Sequence, residues 1–484
     1  MHYDAYTGMY SENNSWWGDW PQRQHQIQGT VSHFADDFLG GDHEFKFGVI
    51  YNHGYAGWKW GYNSNVYYYD WDGEPYYAFF MDPEEYGGVL NRISSFLDDS
   101  WSVSDRLTLN LGVRFDHTRG GFPELSRLDE NANPTGETFP EDMDILKWDT
   151  WSPRLGLVYQ LTADRKTVLK ASYSRNYGHM LMRDFYQSAP SKADRYWYWY
   201  DPDTGGYTWQ TEHIDPIADR GIDRNMKNPY SDSFSVGIER EILPDFSLSL
   251  TGLYKESKDP IDEQNTGAEY ELIDYYDEFG DQTIQIYNQT NPGDSFYVTT
   301  NRGDKSTYKA LILAFRKRLS NNWQLNGSLT LSRSRQYPVG YWDKNDLINR
   351  YGVPGSFDRE YQFKMSGTYI FPYGIMLSAY FAYDQGRPFN RTVRVWLDQG
   401  YRTIAAEERG SQRYPNPTYL DLRLEKEFKL WGRTRLKLLI DVWNTFNADY
   451  NNWVAETNAA SNAYLAPGGY VLPRRAQLGI RFVF

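Results

Sequence analysis

The sequence predicts an all-β protein, an antiparallel transmembrane β-barrel. Three observations carry that prediction: apolar and polar residues alternate strictly, the alternating runs last about ten to thirteen residues, and the connections between runs are tight turns and long polar stretches in turn. The clearest run is the last one, Arg474 to Phe484. Ala476, Leu478, Ile480, Phe482 and Phe484 fall on one face, and Arg475, Gln477, Gly479, Arg481 and Val483 on the other, as the two-residue period of a strand requires. A soluble sandwich also half-buries its strands, so one run does not decide between water and lipid.

Repetition decides it. A unit of strand, tight turn and strand recurs about seven times before the final strand. Leu420, Leu422, Leu424 and Phe428 oppose Asp421, Arg423, Glu425 and Glu427, and the return strand sets Leu436, Leu438, Ile440 and Val442 against Arg435, Lys437 and Asp441. Leu107, Leu109, Leu111, Val113 and Phe115 oppose Thr108, Asn110, Arg114 and Asp116. Phe234, Val236, Ile238 and Ile242 form a third such face, Phe47, Val49 and Tyr51 a fourth, and Leu311, Leu313, Phe315 and Leu319 a fifth. Runs this long exceed the usual soluble strand and match what a tilted strand needs to cross a bilayer.

The connections fall into two classes. Tight turns are expected near Ser104–Asp105, Thr162–Asp164, Pro244–Asp245, Asn321–Asn322, Pro372–Gly374 and Trp431–Gly432. Long polar stretches are expected as loops over 117–150, 178–229, 257–304, 336–359, 386–417 and 447–473. Short turns at one rim and long loops at the other are the outer-membrane pattern.

Composition fits. The 484 residues have a mean hydropathy of −0.73, a net charge of −14, no Cys and 18% aromatic residues. Low hydropathy is compatible with a barrel, because only alternate strand residues meet lipid, and Tyr and Trp suit the interfacial girdles. The sequence contains no apolar run long enough for a transmembrane helix. The acidic balance argues against nucleic acid as a partner, and the absence of Cys excludes disulfides and thiolate metal sites.

Particular motifs go further. Leu420-Asp421-Leu422-Arg423, the segment Leu438 to Asn447 (LLIDVWNTFN), and Pro473-Arg474-Arg475 followed by Leu478-Gly479-Ile480-Arg481-Phe482-Val483-Phe484 resemble the end of a TonB-dependent outer-membrane receptor. Gly41 to Gly48 (GDHEFKFG) and Trp151 to Gly156 (WSPRLG) resemble the Oar-like branch of that family, whose members carry a carboxypeptidase-regulatory-like domain. The resemblance covers about residue 24 to the end. It implies a barrel of about twenty-two strands, an N-terminal plug, and ligand uptake energised through a TonB box. The chain departs from that pattern at its front: Met1-His2-Tyr3-Asp4 opens an aromatic, polar stretch, and nothing resembles a signal peptide, plug or TonB box. About fifteen strands are expected, the first near Gln26–Phe34, so the first and last would run in the same direction. These counts lead to the expectation of an incomplete barrel from the C-terminal part of a longer receptor, with 1–23 the remainder of an extracellular loop and 24–484 the barrel domain.

Sites are sparse. His25, His33, His43, His53, His117, His179 and His213 lack metal-ligand spacing, and neither a nucleophile elbow nor a phosphate-binding glycine loop is present, so no catalytic residue and no cofactor is assigned. Asp70-Trp71-Asp72-Gly73-Glu74 and Asp201-Pro202-Asp203-Thr204-Gly205 read either as calcium-type loops or as solvated acidic turns. The aromatic runs containing Tyr69 and Trp71, and Tyr196, Trp197, Trp199 and Tyr200, read either as a stacking surface for a sugar or apolar ligand or as packing between loops. The terminal strand, Ala476, Leu478, Ile480, Phe482 and Phe484, reads as the signal recognised by the barrel assembly machinery. Three functions compete: a TonB-dependent receptor and transporter for an unidentified extracellular ligand, a passive porin, and a surface-binding or adhesive protein. Outer-membrane lipid is a partner in each.

Overall fold

The computed structural model describes residues 1–4, 9–12, 16–178, 186–336 and 342–484. Its main sheet is an antiparallel meander. The strands are β1 (Gln22–Ala35), β2 (Asp42–Tyr62), β3 (Glu84–Ser104), β4 (Leu107–Phe122), β5 (Asp142–Gln160), β6 (Thr167–Tyr177), β7 (Tyr230–Leu243) and β8 (Phe246–Lys258). They continue as β9 (Lys305–Ser320), β10 (Trp323–Arg335), β11 (Tyr361–Phe371), β12 (Ile375–Asp384), β13 (Thr418–Lys429), β14 (Arg435–Trp443) and β15 (Arg475–Val483). A further segment, Trp16–Asp19, pairs with the upper part of β2 on the edge that β1 occupies lower down, so the sheet's sixteen segments fill fifteen positions. Among the described residues β1 and β15 do not pair, and the wall stays open.

Each turn has a local cause. Asn321 and Asn322 (φ 51° and 68°) and Tyr373 and Gly374 (φ 65° and 74°) adopt the left-handed conformations that match a tight turn to the twist of its flanking strands. Cross-strand register then aligns the apolar faces: Leu424 faces Ile440, which faces Leu478, and Phe428 faces Leu436, which faces Phe482. Among the described residues no second layer covers this face. Leu478 is 77% exposed and Ile480 68%, and the face remains exposed along β3, β7 and β9. A water-soluble sheet would bury it; a sheet solvated by lipid needs no cover. The opposite face is polar and paired: Arg423 Nη2 donates to Asp441 at 2.9 Å, Lys437 Nζ to Glu425 at 2.7 Å and Lys170 Nζ to Glu239 at 2.8 Å.

Two expectations need correction. The stretch 117–150 is mostly strand rather than loop, because β4 runs to Phe122 and β5 begins at Asp142. Strand lengths range from 9 residues (β14 and β15) to 21 (β2 and β3), well beyond the expected ten to thirteen. The long strands change character along their length. On β5, Trp151 and Leu155 are exposed on the outer face and Ser152 is buried on the inner face; one turn of the pleat higher, Asp149 and Lys147 face outward and Trp148 and Leu146 are buried inside. On β4 the outward series Leu111, Val113, Phe115 gives way to His117 and Arg119, while the inward series Asp116, Thr118 ends at Phe122. The apolar stripe therefore swaps faces at Phe115 and Trp151, which are register partners with rings 4.9 Å apart. Below that level lipid solvates the outer face; above it water does, and the inner face is buried.

The burial comes from folded loops. Tyr86, Phe122, Leu146 and Trp148 pack with Ala189 and Met226 of the loop after β6, and Trp148 Nε1 donates to the Met226 carbonyl at 2.6 Å. A second core joins the loop after β8 to the loop after β12, with Ile284 and Ile286 against Val393, Val395, Leu397 and Ile404. The long loops thus form an ordered cap.

Candidate functional site

The aromatic runs meet in the cap. Arg195–Asp201 pairs with Glu74–Met81, which pairs with Val66–Trp71, within a six-stranded sheet that also takes in Gly206–Ile214, His2–Asp4 and Tyr10–Ser11. The alternation expected of strands divides the aromatics between faces. Trp197 packs on Phe79, Tyr77 and Tyr69 with ring centroids 4.8, 5.1 and 5.7 Å away. Tyr196 stacks on His213 at 4.7 Å, and Tyr200 meets Tyr207 edge-on at 5.4 Å. Both readings of these residues therefore find a place: Tyr69 and Trp197 are spent on packing, whereas Trp71 and Trp199 stay open, 52% and 37% exposed, on either side of Tyr76. Burial, then the neighbouring Tyr77, Tyr62, Tyr10 and Tyr3 hydroxyls, push the Tyr69 phenol up to about 12, so it remains a hydrogen-bond donor at physiological pH.

The middle strand of this sheet escaped the sequence reading. Tyr76, Tyr77, Phe79 and Phe80 are an aromatic run like the two that were recognised, interrupted by Ala78, and that run was the available signal. The acidic loops are turns held by protein partners. Asp70 pairs with His2 Nδ1 at 2.8 Å, and Asp201 accepts from the Asp203 amide and from the Thr204 and Thr208 hydroxyls at 2.9 to 3.0 Å. No group of three or more potential metal ligands occurs among the described residues. His43 pairs with Asp99, His53 with Asn91, His117 with Asp149 and His213 with Asp194; His179 lies outside the described residues. On the terminal strand, Ala476, Leu478, Ile480 and Phe482 lie in register with Val442, Ile440, Leu438 and Leu436, and Phe484 is 92% exposed just beyond the strand.

Beneath the cap the cavity side of the wall holds a polar recess of about 420 Å³ at the level where the apolar stripe changes face. Arg92, Arg114, Asp116, Thr118, Ser152 and Arg154 line it. Arg114 donates to both oxygens of Asp116 at 2.8 to 3.0 Å and to Ser94 at 2.8 Å. Arg114 was visible in the sequence as a polar-face strand position and Arg154 only within the Trp151–Gly156 motif; the register brings them to one recess.

An open meander wall with a lipid-facing exterior, a charged interior and a folded cap defines an outer-membrane barrel protein. The chain belongs to the outer membrane beta barrel domain family, whose model matches residues 80–377, and its place is the bacterial outer membrane. It is 23% identical over 434 residues to the TonB-dependent transporter Oar of Myxococcus xanthus, covering 78% of this chain and 37% of that protein. In fold it is similar to the outer membrane transporter YddB from Escherichia coli (TM-score 0.61, 14% identity, 96% of this chain and 54% of that one). It is also similar to the pyoverdine outer membrane receptor FpvA from Pseudomonas aeruginosa PAO1 (TM-score 0.55, 16% identity, 97% and 54%). The chain thus spans little more than a third of the curated relative and about half of each solved structure.

Proposed function

We propose that this chain forms the barrel wall and extracellular cap of an outer-membrane receptor that captures a scarce solute and admits it with energy delivered by a TonB-type complex acting on an N-terminal plug. In this reading 24–484 is the barrel domain, 1–23 belongs to an extracellular loop, and the terminal strand ending at Phe484 is read by the barrel assembly machinery. The observation that carries it is the cap: a passive pore needs an open mouth, whereas here the loops fold over the wall on two buried cores and present Trp71, Tyr76 and Trp199 outward. Similarity to the Myxococcus transporter supports energised uptake over adhesion. Aromatic faces on a rigid sheet suit a sugar ring or another flat, partly apolar solute.

The test is accumulation of a panel of labelled solutes in cells carrying the full-length receptor, with and without a functional TonB. The expected result is at least one solute whose uptake requires both, and falls about tenfold at limiting concentration when Trp71 and Trp199 are both replaced by Ala. Uptake that needs the receptor but ignores TonB would make the protein a porin instead.

A further inference from the structure

The outer face of β7 to β10 is not smooth. A shallow groove of about 800 Å³ crosses it, walled by Phe234, Val236, Leu311 and Leu331 and floored by Gly252. Register sets the floor: Gly252 stands between Val236 on β7 and Leu311 on β9, and Leu311 faces Leu331 on β10. A Cβ added at Gly252 would meet nothing nearer than the Val236 carbonyl oxygen, at 3.8 Å, so the groove is the space a side chain would otherwise fill. Tyr173, Phe234 and Tyr254 form a row of rings across β6, β7 and β8, with centroids 4.7 and 6.3 Å apart, as an aromatic belt does where hydrocarbon gives way to headgroups. Height agrees. From Trp323 to Arg333 the strand climbs about 25 Å at the tilt of a membrane barrel, which is the height of the apolar band.

Two cations close the upper end of the groove. Lys309 and Arg333 are exposed register partners, and the Lys309 ammonium lies 5.6 Å from the centre of the Tyr254 ring. Like charges directly opposite each other across a ladder are destabilising unless a counter-charge joins them. The carboxylates around them are already engaged. Glu256 accepts from the Tyr254 hydroxyl at 2.8 Å and pairs with Lys258 at 2.6 Å and Lys305 at 3.1 Å, Glu360 accepts from Gln385 at 3.3 Å and pairs with Arg413 at 3.6 Å, and Asp232 pairs with Arg175 at 2.8 Å. Among the described residues neither Lys309 nor Arg333 forms an ion pair.

We propose that this groove is a site for a phosphate-bearing lipid of the surrounding leaflet: Lys309 and Arg333 together hold the phosphate, and one acyl chain lies over Gly252 between Val236, Leu311 and Leu331. Both ends of the site select this occupant. The apolar trough already faces hydrocarbon, and an anion shared by the two cations removes their repulsion. The site rests on the membrane placement of the wall and is indifferent to what the cap admits or how uptake is energised.

The test titrates the full-length receptor in neutral detergent with dioleoylphosphatidylglycerol and with dioleoylphosphatidylcholine, which share acyl chains and differ in net headgroup charge, and counts bound lipid by native mass spectrometry. Phosphatidylglycerol should bind saturably and about tenfold more tightly than phosphatidylcholine. Replacing both cations, Lys309→Gln with Arg333→Gln, should erase that preference. Lys147→Gln on β5, which removes an outward cation above the apolar band, should leave it intact. Gly252→Leu should weaken both lipids by filling the groove; the double charge variant alters only exposed side chains and keeps the test decisive if Gly252→Leu folds poorly. Added phosphatidylglycerol should also raise the Tm of the parent and not that of the double variant. Equal affinity for the two lipids, or a preference that survives the loss of both cations, would overturn the proposal. So would a mass of two chains in place of bound lipid, which would give the groove to a second copy of the receptor.

Discussion

The tall side of the wall, β2 to β5, and the short side, β13 to β15, answer to different solvents. A 9-residue strand such as β14 rises on the order of 30 Å, about the thickness of a hydrocarbon core, and almost all of it keeps the outward-apolar pattern. A 21-residue strand such as β2 rises about 70 Å, and its upper half has left the membrane. There the same backbone ladder continues with its apolar side turned inward onto the cap. Backbone hydrogen bonding fixes the sheet; the surrounding medium decides which face is greasy. The short wall is therefore the barrel's structural minimum, and the tall wall is a barrel with a soluble domain's core built on top.

That comparison can be broken most severely at the short wall. Deleting Phe484, or replacing both Phe482 and Phe484 by Ser, in the full-length receptor is expected to remove it from the outer membrane through periplasmic degradation. Heat-modifiable receptor at parental levels in both variants would show that the terminal strand is not an assembly signal. At the tall wall, Trp148→Ala removes a buried side chain worth about 3 to 5 kcal/mol, yet the loss should stay within the cap. Limited proteolysis should cut the loop after β6 faster while the heat-modifiable barrel band persists; a collapsed barrel would mean that cap and wall fold as one unit. Next come Leu438→Arg and Ile440→Arg, each placing a cation in hydrocarbon at about 2 to 4 kcal/mol near the midplane, read as lost folding yield into lipid vesicles. Equal yields for these and the parent would reverse the assigned faces.

A titration in the cap provides a subtler probe. Lys192 is buried with its ammonium near the Tyr86 and Tyr186 rings and donates to Gln187 at 3.0 Å, and burial lowers it from 10.5 to about 8. Between about pH 8 and 10.5 the unfolded loop holds this proton and the folded loop does not, so cap stability should rise with pH through that window; below pH 8 both states are charged and the cost of burying the charge is fully present. The protection factors of the loop amides around Ala189, exchange corrected for its intrinsic pH dependence, should rise on that climb, and Lys192→Met should flatten the rise; an unchanged slope would remove Lys192 as its origin. The smallest effect belongs to the lumen. Lys437 serves Glu425 at 2.7 Å and Glu427 at 3.4 Å, so reversing its charge would crowd three carboxylates, whereas Lys437→Gln should cost under about 1 kcal/mol in urea melts of the reconstituted barrel.

The legible part of the molecule was the part with one pattern. From Leu420 to Val442 one alternation holds on both strands, with Lys426 and Leu439 as its exceptions, and strands, turn and faces were all read from it. From His117 to Thr150 the pattern changes phase: Lys147 and Asp149 take positions where lipid would require apolar residues, and the stretch looked like loop although its ladder continues. The recess was hidden for a different reason. Asn52, Arg92 and Thr118 are neighbours only through register, which depends on where each long connection brings its strand back. The cap aromatics were half legible, because composition marked the runs and only pairing showed which rings remain open.

The core joining the loop after β8 to the loop after β12 has a geometric consequence. Every ladder between the strands β1 to β15 joins neighbours in the chain, so the meander by itself would accept a hairpin more or less without altering any other register. The cap would not. Arg391 reaches Asp277 at 2.9 Å and Asn288 reaches Asp398 at 2.8 Å, spanning the arc of β9 to β12, four strands or about 20 Å of wall. Insertion or loss of one hairpin in that arc would pull these partners apart or jam them together. The loops thus act as a gauge for the circumference, holding the curvature of a sheet whose own hydrogen bonds leave its strand number free.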